Sequence, residues 1–134
     1  MVVDTSALVA ILLGEADAGR YARALEEAPS RLISAVSRVE LSIVMESRKG
    51  DGGRADLERL LLDGDFEIVG VSAELAHSAI DAFRRFGKGR HRAGLNIGDC
   101  FAYALATTLD QPLLFKGDDF AHTDVEVALG PAPT

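Results

Sequence analysis

The chain has 134 residues, enough for one domain with a real core, and a formal net charge of −7. That balance argues against an all-over electrostatic grip on nucleic acid, although an acidic metal pocket would contribute negative charge that bound cations offset. No apolar run approaches the roughly 20 residues of a membrane helix, no secretory leader pattern opens the chain, and the lone Cys100 excludes an internal disulfide, so a cytoplasmic protein is expected.

Val2 and Val3 read as a short buried strand, and Asp4 falls at its carboxyl end. Thr5 or Ser6 can cap the apolar helix Ala7 to Leu13. Glu15 to Ala28 carries Ala18, Tyr21, Ala22 and Leu25 at helical spacing and ends before Pro29. Arg31 to Ser34 is a second strand. Ser37 can cap a helix from Arg38 to about Lys49, which Gly50-Asp51-Gly52-Gly53 stops. Arg54 to Leu62 is a further helix, and Phe66 to Val69 a third strand. Ser72 caps a helix through about Phe86, with Glu74 favourable in its first turn. A glycine-punctuated basic loop, Gly87 to Gly94, leads into a helix from Ile97 to Leu109 and a strand from Leu113 to Phe115. Val125 to Val127 is an edge-strand candidate, and residues 130–134 read as a flexible tail. Strands alternating with helices imply an α/β fold, a mostly parallel central sheet with helices on both faces, in a single domain over residues 1–134.

Ligands of open α/β sheets bind beyond the carboxyl ends of the strands, which gives the acidic residues their interest. Asp4 stands at such an end, or serves only as a helix cap. Glu40 shares a helical face with Ile43, Val44 and Ser47, so its carboxylate leaves the side that packs inward. A charge there needs a cation, a strong donor, water or a core arginine. Asp99 opens a helix whose body, Cys100 to Ala106, is almost wholly apolar and therefore expected to be buried. Taken alone, Asp99 is also an ordinary first-turn acid favoured by the helix dipole. Asp118 and Asp119 follow the last strand, where an Asp-Asp pair also serves as plain turn chemistry.

As a set, Asp4, Glu40, Asp99 and Asp118 (or Asp119 in its place) would meet at one crevice. Two carboxylates about 4 Å apart cost roughly 4 kcal/mol at an effective dielectric near 20, so such a set needs a counter-charge. An all-oxygen donor set suits Mg2+ or Mn2+, and the scattered His77, His91 and His122 offer no zinc spacing. Cys100 reads as a buried helix residue.

Several stretches carry a family resemblance. They are Val3-Asp4-Thr5-Ser6-Ala7, Ser37-Arg38-Val39-Glu40-Leu41, the run from Gly87 through Leu95-Asn96-Ile97-Gly98-Asp99 to Ala106, and Leu113 to Phe120. Together they resemble a PIN-domain ribonuclease, specifically a VapC-type toxin of a bacterial toxin–antitoxin pair, over essentially the whole chain. The resemblance implies a PIN-like three-layer α/β/α fold and a commonly homodimeric state. It also implies RNA hydrolysis dependent on Mg2+, with Mn2+ as an alternative, and inhibition by a cognate VapB-type antitoxin. Asp4, Glu40 and Asp99 match the family's metal-binding acids, Asp118 or Asp119 its variable fourth, and Ser6 a position that often hydrogen-bonds within the site. The dense basic stretch Arg84-Arg85, Lys88, Arg90, His91 and Arg92 is proposed to meet RNA phosphates, with Lys88, Arg90 and Arg92 as its centre.

Rival readings are weaker. A receiver domain would use Lys116, but its acceptor aspartate is missing where Ile33 is followed by Ser34. A phosphatase opening of the Asp-x-Asp type fails because Thr5 and Ser6 follow Asp4. A catalytically silent PIN-like binding module is the remaining alternative, and the intact acidic positions speak against it.

Overall fold

The computed structural model describes residues 1–131. In chain order they form β1 (Val2–Val3), α1 (Thr5–Leu12), α2 (Ala18–Glu27), β2 (Leu32–Ser34), α3 (Ala35–Asp63), β3 (Glu67–Val69), α4 (Ala73–Phe86), α5 (Ile97–Thr108) and β4 (Leu113–Leu114), then a 3-10 turn at Phe120–His122. The four strands make one parallel sheet in the order β3-β2-β1-β4, with Val2 opposite Leu32 on one side and Leu113 on the other.

Strand alternation divides the core into two layers. Val2 and Leu113 pack with Leu75, Ala79, Phe86 and Leu105 of α4 and α5. Val3, Ile33 and Leu114 turn the other way, onto Leu8, Leu25, Leu41 and Leu57 of α1 to α3. Burial on both sides explains why these strands read as continuous apolar runs. The result is the expected α/β/α arrangement.

The path of the sheet sets the site. The chain leaves β1 for β2 and β3 on one flank, then crosses to β4 on the other. Strand order therefore reverses between β1 and β4, where ligand crevices of α/β sheets open. Asp4 is the first residue beyond β1.

Several boundaries differ from expectation. Ser34, rather than Ser37, caps α3, accepting from the Val36 N–H at 3.1 Å; Ser37 lies one turn inside, fully buried, its hydroxyl without a partner among the described residues. The expected stop, by contrast, holds: Gly50 adopts φ 58° and ψ −143° and breaks α3 into two helical arms. Ion pairs Arg38–Glu58 and Arg54–Glu46 then join the two arms side by side. α2 begins at Ala18, and the carboxylate of its N-cap residue Asp17 makes no cap bond but binds Lys116. Val127 forms only an isolated parallel bridge with Leu113, too little for an edge strand. Of the expected flexible tail, Gly130 accepts a hydrogen bond from Arg20 at 2.9 Å, and residues 132–134 lie outside the described residues. Among the described residues, no helix is long and apolar enough to cross a membrane.

Candidate acidic site at the carboxyl ends of β1 and β4

Asp4 is both helix cap and buried acid. Its Oδ2 accepts from the Ser6 N–H at 3.0 Å and from the Ser6 hydroxyl at 2.6 Å, closing the first turn of α1. The Ser6 oxygen in turn accepts from the Lys116 N–H at 2.9 Å, so one hydroxyl ties Asp4 to the segment leaving β4. Burial raises the Asp4 pKa; the Ser6 bonds oppose that rise, and the charge of Glu40 adds to it.

Glu40 reaches the same place from α3. Its Oε1 accepts from the Thr5 hydroxyl at 2.7 Å. Its carboxylate also lies against Gly98, where an added Cβ would stand 2.5 Å from Oε2. Glycine at the start of α5 is what lets the Glu40 carboxylate come this close to the residue preceding Asp99. Among the described residues no core arginine takes Glu40, since Arg38 on the same helix pairs with Glu58.

Asp99 and Asn96 form a reciprocal capping box: the Asn96 side chain accepts from the Asp99 N–H at 2.9 Å, and Asp99 Oδ2 accepts from the Asn96 N–H at 3.1 Å. Asp99 is thus a first-turn acid as well. Burial pushes its pKa up to about 7, against the pull of the Asn96 N–H; the charges of Asp4, Asp119 and Glu40 add to the rise. Those three carboxylates come from β1, the turn after β4, and α3, so four distant segments influence one another here.

Asp118 and Asp119 diverge. Asp119 acts electrostatically on Asp99, whereas Asp118 lines a separate groove with Asp17, Tyr21 and Lys116. The Lys116 ammonium turns into that groove too, 2.6 Å from Glu15 and 2.9 Å from Asp17. It is therefore committed away from the acids, which removes the feature that suggested a receiver domain.

The donor set fits a hard divalent cation. One oxygen of each central carboxylate is fixed, by Ser6 on Asp4, Thr5 on Glu40 and Asn96 on Asp99. The second oxygen of each receives no hydrogen bond from any described side chain. Among the described residues, no three Asp, Glu, His or Cys side chains are drawn together as a ready-made metal shell.

The basic loop is held at its ends, through Lys88 N–H to Leu95 O and Leu95 N–H to Phe86 O, both at 3.0 Å. Lys88, Arg90 and Arg92 are exposed on it and make no ion pair among the described residues. Arg84 and Arg85 differ, pairing with Asp81 and Asp124. Asn96-x-x-Asp99 is the available sequence signal for the capping box; nothing local announces the roles of Thr5 and Gly98.

The PIN domain family model matches residues 1–126. The chain belongs to the PIN-domain family. Within it, this PIN domain is similar to a VapC ribonuclease of Mycobacterium bovis, 51% identical over 125 residues, which cover 93% of this chain and 95% of that protein. It is 53% identical to a VapC ribonuclease of Mycolicibacterium smegmatis over 125 residues, covering 93% and 97% of the two chains. Identity at that level across nearly the full length makes it a VapC-type ribonuclease. Solved structures agree in fold: VapC20 of Mycobacterium tuberculosis superposes with a TM-score of 0.79 at 19% identity, covering 97% of this chain and 98% of that one. VapBC2 of Rickettsia felis, solved on a promoter DNA fragment, gives 0.72 at 15%, covering 94% of each chain.

Proposed function

We propose that this VapC-type ribonuclease is the toxin of a toxin–antitoxin pair and cuts RNA internally in a reaction dependent on Mg2+ or Mn2+. The ion would be held by Asp4, Glu40, Asp99 and a fourth acid, for which the electrostatic influence on Asp99 favours Asp119 over Asp118. The observation that carries this reading is the convergence of three acids from separate elements: Thr5, next to Asp4, donates to Glu40, and the Glu40 carboxylate lies against Gly98, next to Asp99. A structural cap needs no such convergence.

A bound divalent ion supplies activation of water and neutralisation of charge at the scissile phosphate. The chain's own residues prepare for that. Ser6 holds Asp4, Thr5 holds Glu40, and Asn96 holds Asp99, each fixing one oxygen and leaving the other without a side-chain hydrogen bond among the described residues. Lys88, Arg90 and Arg92 offer three exposed cations to the RNA backbone, and such phosphate contacts position a strand without reading its bases.

The inhibiting partner is a VapB-type antitoxin, and a neighbouring fold match is a VapBC complex. Ile80, Phe83, Ile97 and Phe101 border an apolar groove of about 480 Å³ between α4 and α5, surface suited to a protein partner, either antitoxin or a second copy in a homodimer. An antitoxin arginine or lysine near Asp4 and Asp99 would compete with the cation for their carboxylates. The site of action is cytoplasmic, where RNA is.

The test is cleavage of labelled RNA by the purified chain with Mg2+ or Mn2+, with EDTA, and by Asp99→Asn. Cutting that requires the cation and is lost in the variant is expected. Cutting unaffected by EDTA, or retained by Asp99→Asn, refutes the reading.

A further inference from the structure

Tyr103, Asp124 and Arg85 meet at a point that the acidic site does not include. The Tyr103 hydroxyl donates to Asp124 Oδ1; Arg85 donates to Asp124 Oδ2 at 3.1 Å and to the Tyr103 oxygen at 3.3 Å. Three elements are joined there. Tyr103 is on α5, one turn beyond Asp99 and on the same face. Asp124 follows the 3-10 turn at Phe120–His122, whose first flanking residue is Asp119. Arg85 is in the last turn of α4, just before the basic loop begins.

The segment that Asp124 anchors has few other holds. Between Gly117 and Val125, the backbone bonds Ala121 to Asp118, His122 to Asp119 and Thr123 to Phe120 are all internal, as are those of the Thr123 hydroxyl. Among the described residues, the hydrogen bonds that tie this segment to other elements are those of Asp124. Phe120, packed against Phe115, and Val125 are its buried apolar anchors. The bonds of Asp124 to Arg85 and Tyr103 therefore fix where the turn bearing Asp119 sits relative to α4 and α5.

The same junction reaches the basic loop. Phe86 packs edge-on against Tyr103 with centroids 5.4 Å apart and against His91 at 5.1 Å, and the Arg85 guanidinium lies 4.7 Å from the Phe86 ring centre. One clamp thus spans the α5 acid, the turn bearing Asp119, and the root of the loop carrying Lys88, Arg90 and Arg92.

We propose that Asp124, gripped by Tyr103 and Arg85, is a positioning residue that fixes the turn bearing Asp119 beside α5 for cation binding. This rests on the metal-dependent ribonuclease reading above.

The experiment compares wild type with Tyr103→Phe, Asp124→Asn, Asp119→Asn and the Tyr103→Phe/Asp119→Asn double variant. Three quantities are measured: Mn2+ affinity by calorimetry, RNA cleavage against Mn2+ concentration, and amide exchange across residues 117–125. Tyr103→Phe, which keeps the ring in the core, is expected to weaken Mn2+ by about tenfold, within the range seen when outer-shell partners of metal ligands are removed. Amide exchange at Ala121 and Thr123 rises while the rest of the chain is unchanged. Adding Tyr103→Phe to Asp119→Asn costs little further, because the clamp acts through Asp119. Unchanged Mn2+ affinity in Tyr103→Phe, with wild type binding and cutting normally, overturns the clamp alone, as does a full multiplicative loss in the double variant. A wild-type chain that neither binds Mn2+ nor cuts RNA overturns the ribonuclease reading and the clamp with it.

Discussion

Oε2 of Glu40 lies so close to Gly98 that a methyl group there would meet it at 2.5 Å. The atom in the way is the far end of a flexible side chain, so Gly98→Ala is expected to move the carboxylate rather than break the fold. Alanine is also the better helix former, by up to about 1 kcal/mol. The variant should melt within a few degrees of wild type and lose most of its cleavage, at least about tenfold. Thermal denaturation beside an RNA assay checks this; full activity in a stable Gly98→Ala would show that Glu40 need not sit where it does.

Asp4→Asn and Asp99→Asn should each abolish cleavage while leaving the fold intact. An amide oxygen can still accept from the Ser6 or Asn96 N–H, so both helix starts survive. Each change also removes a repelled charge, and the metal-free variants should melt no lower than wild type at pH 7.5. Circular dichroism and melting read the fold, and labelled RNA reads the activity.

The raised pKa of Asp99, about 7, sets a pH dependence. Its unfolded counterpart titrates at about 4, so between those values the folded chain holds the extra proton. Stability from this group is therefore fully present below about pH 4 and lost as pH rises toward 7; Asp4 acts in the same direction. Metal-free protein is expected to melt lower at pH 7.5 than at pH 5.5, with Asp99→Asn flattening the difference. Cation binding must displace that proton, so Mn2+ affinity should weaken as pH falls below 7. Calorimetry at three pH values measures it.

Charge reversal at Lys88, Arg90 and Arg92 should weaken RNA binding. It should also reduce the slope of log affinity against log salt by about one for each phosphate that the loop ceases to neutralise. Reversal of Arg84, already paired with Asp81, should change the slope less. Fluorescence anisotropy with a catalytically dead Asp99→Asn background separates binding from cutting.

Ser6→Ala removes one of the two bonds on Asp4 Oδ2 and leaves the Lys116 N–H without its acceptor. A loss of about 1–2 kcal/mol in stability is expected, and a smaller drop in activity than Asp4→Asn causes. Denaturant melts and cleavage rates compare the two.

Asp4, Glu40 and Asp99 are legible because each breaks a local rule in the sequence: a carboxylate ends an apolar strand, faces inward on a helix, or opens a wholly apolar one. The choice between Asp118 and Asp119 is not, since neighbouring turn residues point according to backbone angles that no periodicity records. Ser34 and Ser37 are both competent caps, and the strand register that makes Ser34 the last residue of β2 is a long-range fact. The same holds for Lys116 with Glu15 and for Tyr103 with Asp124, pairs whose partners are distant in the chain. The α3 reversal reads as a gap because its glycines signal a stop, and nothing local says that the helix resumes antiparallel to itself.

β1 gains its second neighbour only when residues 113–114 arrive beside Val2 and Val3. A polypeptide emerging from the ribosome therefore carries Asp4 without the strand that completes the crevice until residues 113–114 have followed it. The crevice beside Asp4 thus cannot form before the chain has been made through β4.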